Sequence, residues 1–188
     1  MKRYRFYIGI IAVALFVIAC SKDDDDPTVE AWKLANEQAF KDVAKNPEFT
    51  ELKSPGNNGS LYYRVIKKGE GKRIYYNSRA EVYYKGWYVV TNADKNIKAG
   101  TVFDQRLFDD GVTFKVAVSS QVIDNNGVYA SVVEGWSIAL QHMVEGDKWE
   151  VWLPSHFGYG KFDYKGIPGG STLAFEIELV KAIDPNEF

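Results

Sequence analysis

The spacing of apolar residues changes at Leu61, and this change limits the folds open to the chain. Before Leu61, apolar residues recur every three to four positions; after it, β-branched and aromatic residues alternate with polar ones, as in half-buried strands. One later segment returns to helical spacing at i, i+3, i+4 and i+7: Trp136, Ala139, Leu140 and Met143. The pattern predicts an α+β fold in which an antiparallel sheet has one short helix across its concave side.

Five segments from Leu61 onward have the composition and alternation of strands, separated by turn-forming residues. They are residues 61–66, 80–87, 112–118, 148–153 and 172–180. Two connections are longer than a compact sheet needs. Residues 89–99 lengthen a hairpin, and residues 119–131 contain the turn-forming sequence Asp124-Asn125-Asn126-Gly127. We expect both to be surface loops.

The residues before the strand-like region predict one helix and a linker. Helical spacing begins at Thr28, and Asn46-Pro47 ends it. Residues 54–59 have the composition of a loop. We therefore divide this part of the chain into a helix with its linker, residues 28–59, and a domain, residues 60–188. The helix packs on the domain, acts as a spacer or dimerises, and its short length makes a stable dimer the least favoured arrangement.

The first 19 residues have the organisation of an export signal. Three basic residues precede an apolar run at residues 8–19, which is too short to span a bilayer comfortably. The run ends in Val17-Ile18-Ala19-Cys20, which resembles the lipobox of bacterial lipoproteins. The alternative is an ordinary secretory peptide with an incidental cysteine. Since Cys20 is the sole cysteine, no internal disulfide forms, and we predict that this thiol carries a lipid anchor in the membrane.

An acidic tract, Asp23 to Asp26, follows the predicted lipidation site, and we interpret residues 20–27 as a solvated tether. The tract also resembles an export signal of surface lipoproteins in some Gram-negative lineages. We expect an outer membrane lipoprotein that faces the periplasm or the cell surface. Without residues 1–19, the 23 Lys and Arg decrease to 20 against 25 Asp and Glu, a net charge of −5. This charge argues against nucleic-acid partners, which require a basic surface.

The sequence offers little for covalent or metal chemistry. Its two histidines, His142 and His156, lack the Cys or carboxylate spacing of a metal site. It contains no Gly-Xaa-Ser-Xaa-Gly motif, phosphate loop or dinucleotide fingerprint. We therefore expect no metal and no cofactor.

Five segments in a fixed order carry a resemblance to a known family. They are residues 82–87 (VYYKGW), 100–104 (GTVFD), 133–148, 153–160 and 167–179. Their order, spacing and residue types resemble the FKBP-type peptidyl-prolyl cis-trans isomerases over roughly residues 60–182. The resemblance implies an FKBP-like antiparallel β-sheet wrapped on a short helix, here preceded by an N-terminal helical extension. It also implies a reaction without a nucleophile, because rotating an Xaa-Pro bond requires only that the twisted amide be stabilised.

The resemblance assigns pocket roles residue by residue. The implied catalytic set is Tyr84, Phe103, Asp104, Trp136 and Tyr159. Trp136 would form the floor, Asp104 would be a buried carboxylate that faces the carbonyl preceding proline, and the Tyr159 hydroxyl would donate to substrate. The implied substrate-binding set is Val112, Val132, Val133, Ile167 and Phe175. In isolation, each has a simpler interpretation as a core, strand or turn residue.

Three differences from the family pattern concern the pocket edge. Val112 stands where an aromatic residue is frequent, and Gly169 follows Pro168 where the family has a second proline. The loop at residues 161–166 is one residue shorter than expected and lacks a histidine. We expect the loop at Gly169 to be more flexible, and we expect the level of activity and the affinity for drugs to differ.

The partners that the resemblance implies are proline-containing polypeptide clients and macrolide inhibitors of the FKBP class. Two other functions remain open: a non-catalytic FKBP-fold chaperone or binding module on the cell envelope, and a structural or adhesive surface lipoprotein. The set of aromatic wall residues favours the active isomerase, because an idle pocket has no reason to keep them together.

Overall fold

The computed structural model describes residues 26–119, 122–124 and 127–184. The predicted export signal, Cys20 and Asp23 to Asp25 lie outside the described residues. Within them, the helices are α1 (Pro27–Val43) and α2 (Glu134–Leu140). The strands are β1 (Thr50–Lys53), β2 (Ser60–Lys67), β3 (Arg79–Tyr88), β4 (Val102–Arg106), β5 (Phe114–Ala117), β6 (Val122–Asp124), β7 (Gly127–Ser131), β8 (Lys148–Leu153) and β9 (Leu173–Ile183).

The strands form one sheet with β3 near its centre. In the described part of the chain, the order is β1-β2-β8-β9-β3-β5-β7-β6, and β4 pairs with β3 outside this path. The pairs are antiparallel except for β5 with β7, which is parallel. Along β3, buried positions alternate with half-buried ones from Ala80 to Tyr88, as the period of two in the sequence predicts.

Helix α2 lies on the concave face of this sheet, and its predicted apolar face is confirmed. Trp136, Ala139, Leu140 and Met143 are all 4% exposed or less. A Cβ at Gly135 would come within 2.4 Å of the Leu153 side chain, so the helix backbone lies close to β8. The α+β fold class is confirmed.

Helix α1 packs on the domain, which is the first of the three arrangements considered above. Trp32 and Val43 are each 6% exposed, and Asn36 is fully buried. The Asn36 side-chain oxygen accepts from the Thr172 N–H at 2.8 Å, and its backbone carbonyl accepts from the Thr172 hydroxyl at 2.9 Å. Since Thr172 directly precedes β9, α1 is fixed beside the loop that leads into that strand.

The structure differs from the sequence-based expectations in two segments before the domain. Strand β1, which precedes the predicted start of the domain at residue 60, pairs with β2 and adds a strand to the sheet. Residues 54–59 are therefore the turn between these two strands. Asp26, expected in the tether, is the N-cap of α1 and accepts from the Thr28 N–H and hydroxyl at 2.8 Å. The described helices include none that is long and apolar enough to cross a membrane.

The two long connections also have internal structure. In residues 89–99, the backbones of Asn92 and Ile97 exchange two hydrogen bonds of 2.8 Å. Residues 119–131 include strands β6 and β7, which pair with each other, and β7 adds to the edge of β5. Of the predicted turn, Asn125 and Asn126 lie outside the described residues.

Candidate functional site

An aromatic cavity of about 430 Å³ opens beside the N-terminal end of α2. We call it the central cavity. Residues from several strands and from the loop before β9 line it, as the sheet wraps around the helix. The predicted site residues that it brings together are Tyr84, Asp104, Val132, Val133, Trp136, Tyr159 and Phe175. Phe114, Ser131, Tyr164 and Lys165 complete the lining.

Trp136 lines the central cavity from the N-terminal part of α2. Its ring lies edge-on to Tyr84, with centroids 5.2 Å apart, and to Phe175, with centroids 5.3 Å apart. Such edge-to-face contacts favour a fixed arrangement of the rings. The indole is 4% exposed, and its buried Nε1 has no hydrogen-bond partner among the described residues. Trp136 therefore presents a mostly apolar surface to the cavity, with its ring held by two aromatic neighbours.

Two tyrosine hydroxyls and one carboxylate lie at the cavity mouth. The Tyr84 hydroxyl donates to Asp104 Oδ2 at 2.8 Å. Burial, followed by this hydrogen bond and the carboxylate charge, raises the pKa of Tyr84. Burial, followed by the charge of Asp104, also raises the pKa of Tyr159. Both hydroxyls therefore keep their protons at neutral pH and can serve as donors.

The Asp104 side chain is not buried, contrary to what the resemblance implied. Strand β4 is an edge strand that pairs with β3, and most of its residues are exposed, Asp104 included. The hydrogen bond from Tyr84 thus holds the carboxylate at the mouth, where water weakens its field.

Phe103 and Ile167 line a neighbouring cavity of about 480 Å³, which we call the Phe103 cavity. The two cavities share Asp104, Tyr159, Tyr164 and Lys165 as a common boundary. The Phe103 ring packs edge-on against Phe175, with centroids 5.6 Å apart. A Cβ at Gly86 would lie 2.7 Å from each of these rings, so a glycine is needed beneath them.

The structure does not bring Val112 to either cavity. Its side chain is 62% exposed, because the chain turns at Gly111 (φ 69°) and strand β5 begins only at Phe114. Phe114 pairs with Val82, and its ring centroid lies 5.3 Å from that of Tyr84. Phe114 thus supplies, at the edge of the central cavity, the aromatic residue that the family resemblance led us to look for two residues earlier.

Tyr164 and Lys165, which sequence reasoning missed, complete the boundary between the cavities. The backbones of Tyr164 and Ile167 exchange two hydrogen bonds of 2.9 Å around Lys165 (φ 48°) and Gly166 (φ 87°). Two positive φ values in a two-residue connection define a type I′ turn. The turn stacks Tyr164 on Tyr159, with centroids 5.0 Å apart. The Lys-Gly pair was the available sequence signal.

Gly169 is explained by close packing. A Cβ at this position would lie 2.1 Å from the Lys161 carbonyl oxygen, and the backbone of Gly169 is not in the left-handed region. Its N–H donates to Asp163 at 2.9 Å, and Lys95 pairs with the same carboxylate at 2.5 Å. These two contacts hold Asp163 and lower its pKa. The long connection at residues 89–99 is therefore tied to the loop that carries Tyr164.

Comparison with known proteins relates this architecture to a family. The family model for FKBP-type peptidyl-prolyl cis-trans isomerase matches residues 71–180, more than half of the chain. The FK506-binding protein of Neisseria meningitidis serogroup A is 30% identical over 128 residues, which cover 67% of this chain and 99% of that protein. FkpA of Buchnera aphidicola is 26% identical over 158 residues. That match covers 83% of this chain and 56% of FkpA, so the chain spans little more than half of that relative.

A solved structure of an isomerase is also similar to this chain. The crystal structure of a peptidyl-prolyl cis-trans isomerase from Pseudomonas syringae pv. tomato superposes with a TM-score of 0.64 at 27% identity, covering 85% of this chain and 98% of that one. With the sheet wrapped on α2 and the family model matched from residue 71 to residue 180, the chain belongs to the FKBP-type peptidyl-prolyl cis-trans isomerase family.

Proposed function

We propose that this protein is a peptidyl-prolyl cis-trans isomerase that assists the folding of exported or surface proteins. Residues 60–188 form the isomerase domain, on which α1 and β1 pack. The observation that carries the proposal is the aromatic cage: Trp136 meets Tyr84 and Phe175 edge-on, directly beside the hydrogen bond from Tyr84 to Asp104.

The cage suits a reaction whose transition state is less polar than its ground state. Rotation about an Xaa-Pro bond has a barrier of about 18–20 kcal/mol because twisting removes amide resonance. A cavity that excludes water favours the twisted amide over the planar one. A roughly thousandfold acceleration requires only about 4 kcal/mol of this preference.

Four residues of the central cavity have a proposed role in holding the peptide. The prolyl ring rests on Trp136, and Asp104 faces the carbonyl that precedes proline. The N–H of Val133, the N-cap of α2, donates to a substrate carbonyl, and the Tyr159 hydroxyl donates a second hydrogen bond. The raised pKa of Tyr159 supports this role, because the hydroxyl keeps its proton.

An isomerisation assay on a peptide panel tests the proposal. The full-length protein in detergent should accelerate Xaa-Pro isomerisation in a protease-coupled assay, with apolar Xaa favoured and with no loss on adding a metal chelator. Activity that disappears with the chelator would contradict the metal-free reaction. Peptides that bind without any acceleration at micromolar protein would identify the alternative, a non-catalytic chaperone or binding module.

We also propose that a lipid on Cys20 anchors the protein in the outer membrane, facing the periplasm or the cell surface. The short apolar run and the sequence Val17-Ile18-Ala19-Cys20 support this. The Cys20→Ser variant should lose labelled acyl chains and no longer partition with membranes. Acylated Cys20→Ser protein would contradict the anchor.

The acidic tract tests the surface location separately. Asp23, Asp24 and Asp25 should be replaced by alanine while Asp26 is kept, because Asp26 caps α1. If the tract is the signal for export to the cell surface, whole cells should then protect the protein from added protease. Unchanged accessibility would remove the tract as a signal.

Macrolides of the FKBP class are proposed to compete with clients for the central cavity. The Neisseria relative carries FK506 binding in its name, and that property is extended to this chain only as a proposal. FK506 should inhibit isomerisation in the peptide assay, and saturating FK506 without inhibition would contradict competition at this site.

A further inference from the structure

A third cavity, of about 530 Å³, adjoins the central cavity at Val132. We call it the Glu134 cavity. It shares Val132 with the central cavity, whereas its lining has no residue in common with that of the Phe103 cavity. Both neighbouring cavities therefore adjoin the central cavity, and they do so through different residues.

The Glu134 cavity has one polar wall. One wall is a polar face of α2 and its C-cap, because Glu134, Ser137 and Gln141 lie at i, i+3 and i+7. The other wall combines the β1–β2 turn with Tyr76, whose side chain is 62% exposed. Among the described residues, Glu134 forms no ion pair, so its charge is available to a ligand.

We propose that the Glu134 cavity binds the client segment that follows the proline, and that Glu134 favours a Lys or Arg side chain there. This inference rests on the proposed function, which puts the prolyl ring in the central cavity. Asp104, assigned to the carbonyl before proline, lies on the boundary with the Phe103 cavity. The residues after proline therefore leave across Val132 toward Glu134.

The dimensions of the polar wall fit a short extended segment. Glu134 and Gln141 are seven residues apart, which is about 10 Å along a helix axis. An extended chain advances about 3.3–3.6 Å per residue. About three client residues after the proline therefore lie along this wall, and a basic side chain at the middle one is within reach of Glu134.

The test compares peptides that differ only after the proline. The short peptide ends at the residue after proline, and three long peptides carry Lys, Ala or Glu two residues after it. Cis–trans exchange catalysed by the full-length protein is measured by NMR at low salt. We expect kcat/KM to follow the order Lys, Ala, Glu, with steps of about two- to fivefold, the range typical of an exposed charge pair.

Three variants test whether Glu134 causes the difference in kcat/KM among the long peptides. Glu134→Gln should make the three long peptides equivalent, and Glu134→Lys should reverse their order. Both variants should isomerise the short peptide with the kcat/KM of the wild type, since Glu134 does not line the central cavity. Glu37→Gln makes the same charge change on an exposed part of α1 and should leave the order intact. A thermal melt of each variant verifies that it is folded.

The outcomes separate this inference from the proposed function. Equal rates for the three long peptides in the wild type, or an order that survives in Glu134→Gln, would overturn the inference. A short peptide that is not isomerised would instead contradict the proposed function. In that case, affinities of the same peptides, measured by tryptophan fluorescence, would still have to follow the order Lys, Ala, Glu.

Discussion

Asp104 is held at the mouth of the cavity by a hydrogen-bond donor that is itself fixed in the core. The Tyr84 ring is 9% exposed and packs against Trp136 and Phe114, so its hydroxyl has little freedom to move. The position of the carboxylate thus depends on buried aromatic contacts, although the carboxylate itself is exposed. This arrangement orients a polar group without burying a charge.

Removing the charge of Asp104 or the hydroxyl of Tyr159 should lower activity more than stability. Asp104→Asn and Tyr159→Phe should each reduce kcat/KM about tenfold, or about 1.4 kcal/mol of transition-state stabilisation, because other contacts still hold the peptide. Thermal melts should stay close to that of the wild type. Asp109→Asn, outside both cavities, is the matched control. Wild-type turnover in both site variants would remove these residues from the mechanism.

The next prediction concerns Gly86, a position at which the packing leaves no room for a side chain. Gly86→Ala should lower the free energy of unfolding by about 1–3 kcal/mol, since its Cβ would overlap the rings of Phe103 and Phe175. Urea unfolding measures this loss, and peptide kinetics should show a parallel decrease. Gly56→Ala, whose Cβ would meet the flexible Asn58 side chain at 3.2 Å and the Ser54 hydroxyl at 3.9 Å, should change little. Equal stability of the two variants would contradict the packing argument.

At the scale of elements, Asn36 joins α1 to the start of β9. Asn36→Ala leaves the buried Thr172 N–H without its acceptor, which typically costs about 1–3 kcal/mol of stability. Gln38→Ala, on the exposed side of α1, is the control. If urea unfolding shows the same free energy for both variants, α1 is not held by this contact.

The elements that the sequence predicted are those with a local signal. The alternation along β3 and β8 and the apolar face of α2 identify these elements from neighbouring residues alone. Strand β1 is a polar edge strand without alternation, and it exists because β2 lies beside it. Strand β7 pairs in parallel with β5, and this contact leaves no pattern in either segment.

The residues of the candidate site were likewise predicted only where the sequence carries a local signal. Trp136 and Tyr84 follow from motifs within an element, and the cavity does contain them. Phe114 was missed because the backbone turn at Gly111 delays β5 by two residues. Tyr164 was missed because a turn signal at Lys165-Gly166 does not show which ring the turn stacks on Tyr159.

At the scale of the whole molecule, three tyrosines that line the central cavity or the Phe103 cavity link stability to alkaline pH. Burial is the main cause that raises the pKa of Tyr84, Tyr88 and Tyr159 in the folded state. These tyrosines contribute fully to stability below about pH 10, which is the tyrosine pKa in the unfolded state. The contribution is lost as the pH rises through their higher pKa values in the folded state. Above about pH 10, the unfolded chain binds fewer protons, so stability should decrease.

Urea unfolding between pH 8 and pH 11.5 measures this decrease. The free energy of unfolding should fall less steeply in Tyr84→Phe than in the wild type, because one of the three groups no longer ionises. Tyr75→Phe, at a position that is 53% exposed, should retain the wild-type slope. A slope that is unchanged in Tyr84→Phe would show that this ring does not couple ionisation to folding.

The most direct test of the account is the exchange of one Xaa-Pro peptide between its cis and trans forms, measured by NMR with catalytic amounts of the full-length protein. The wild type should accelerate exchange, Trp136→Leu should lose most of the acceleration while remaining folded, and Trp87→Leu, on the outer face of β3, should keep it. Wild-type exchange in the folded Trp136→Leu variant, or binding of the peptide by the wild type without exchange, would contradict catalysis in the aromatic cavity.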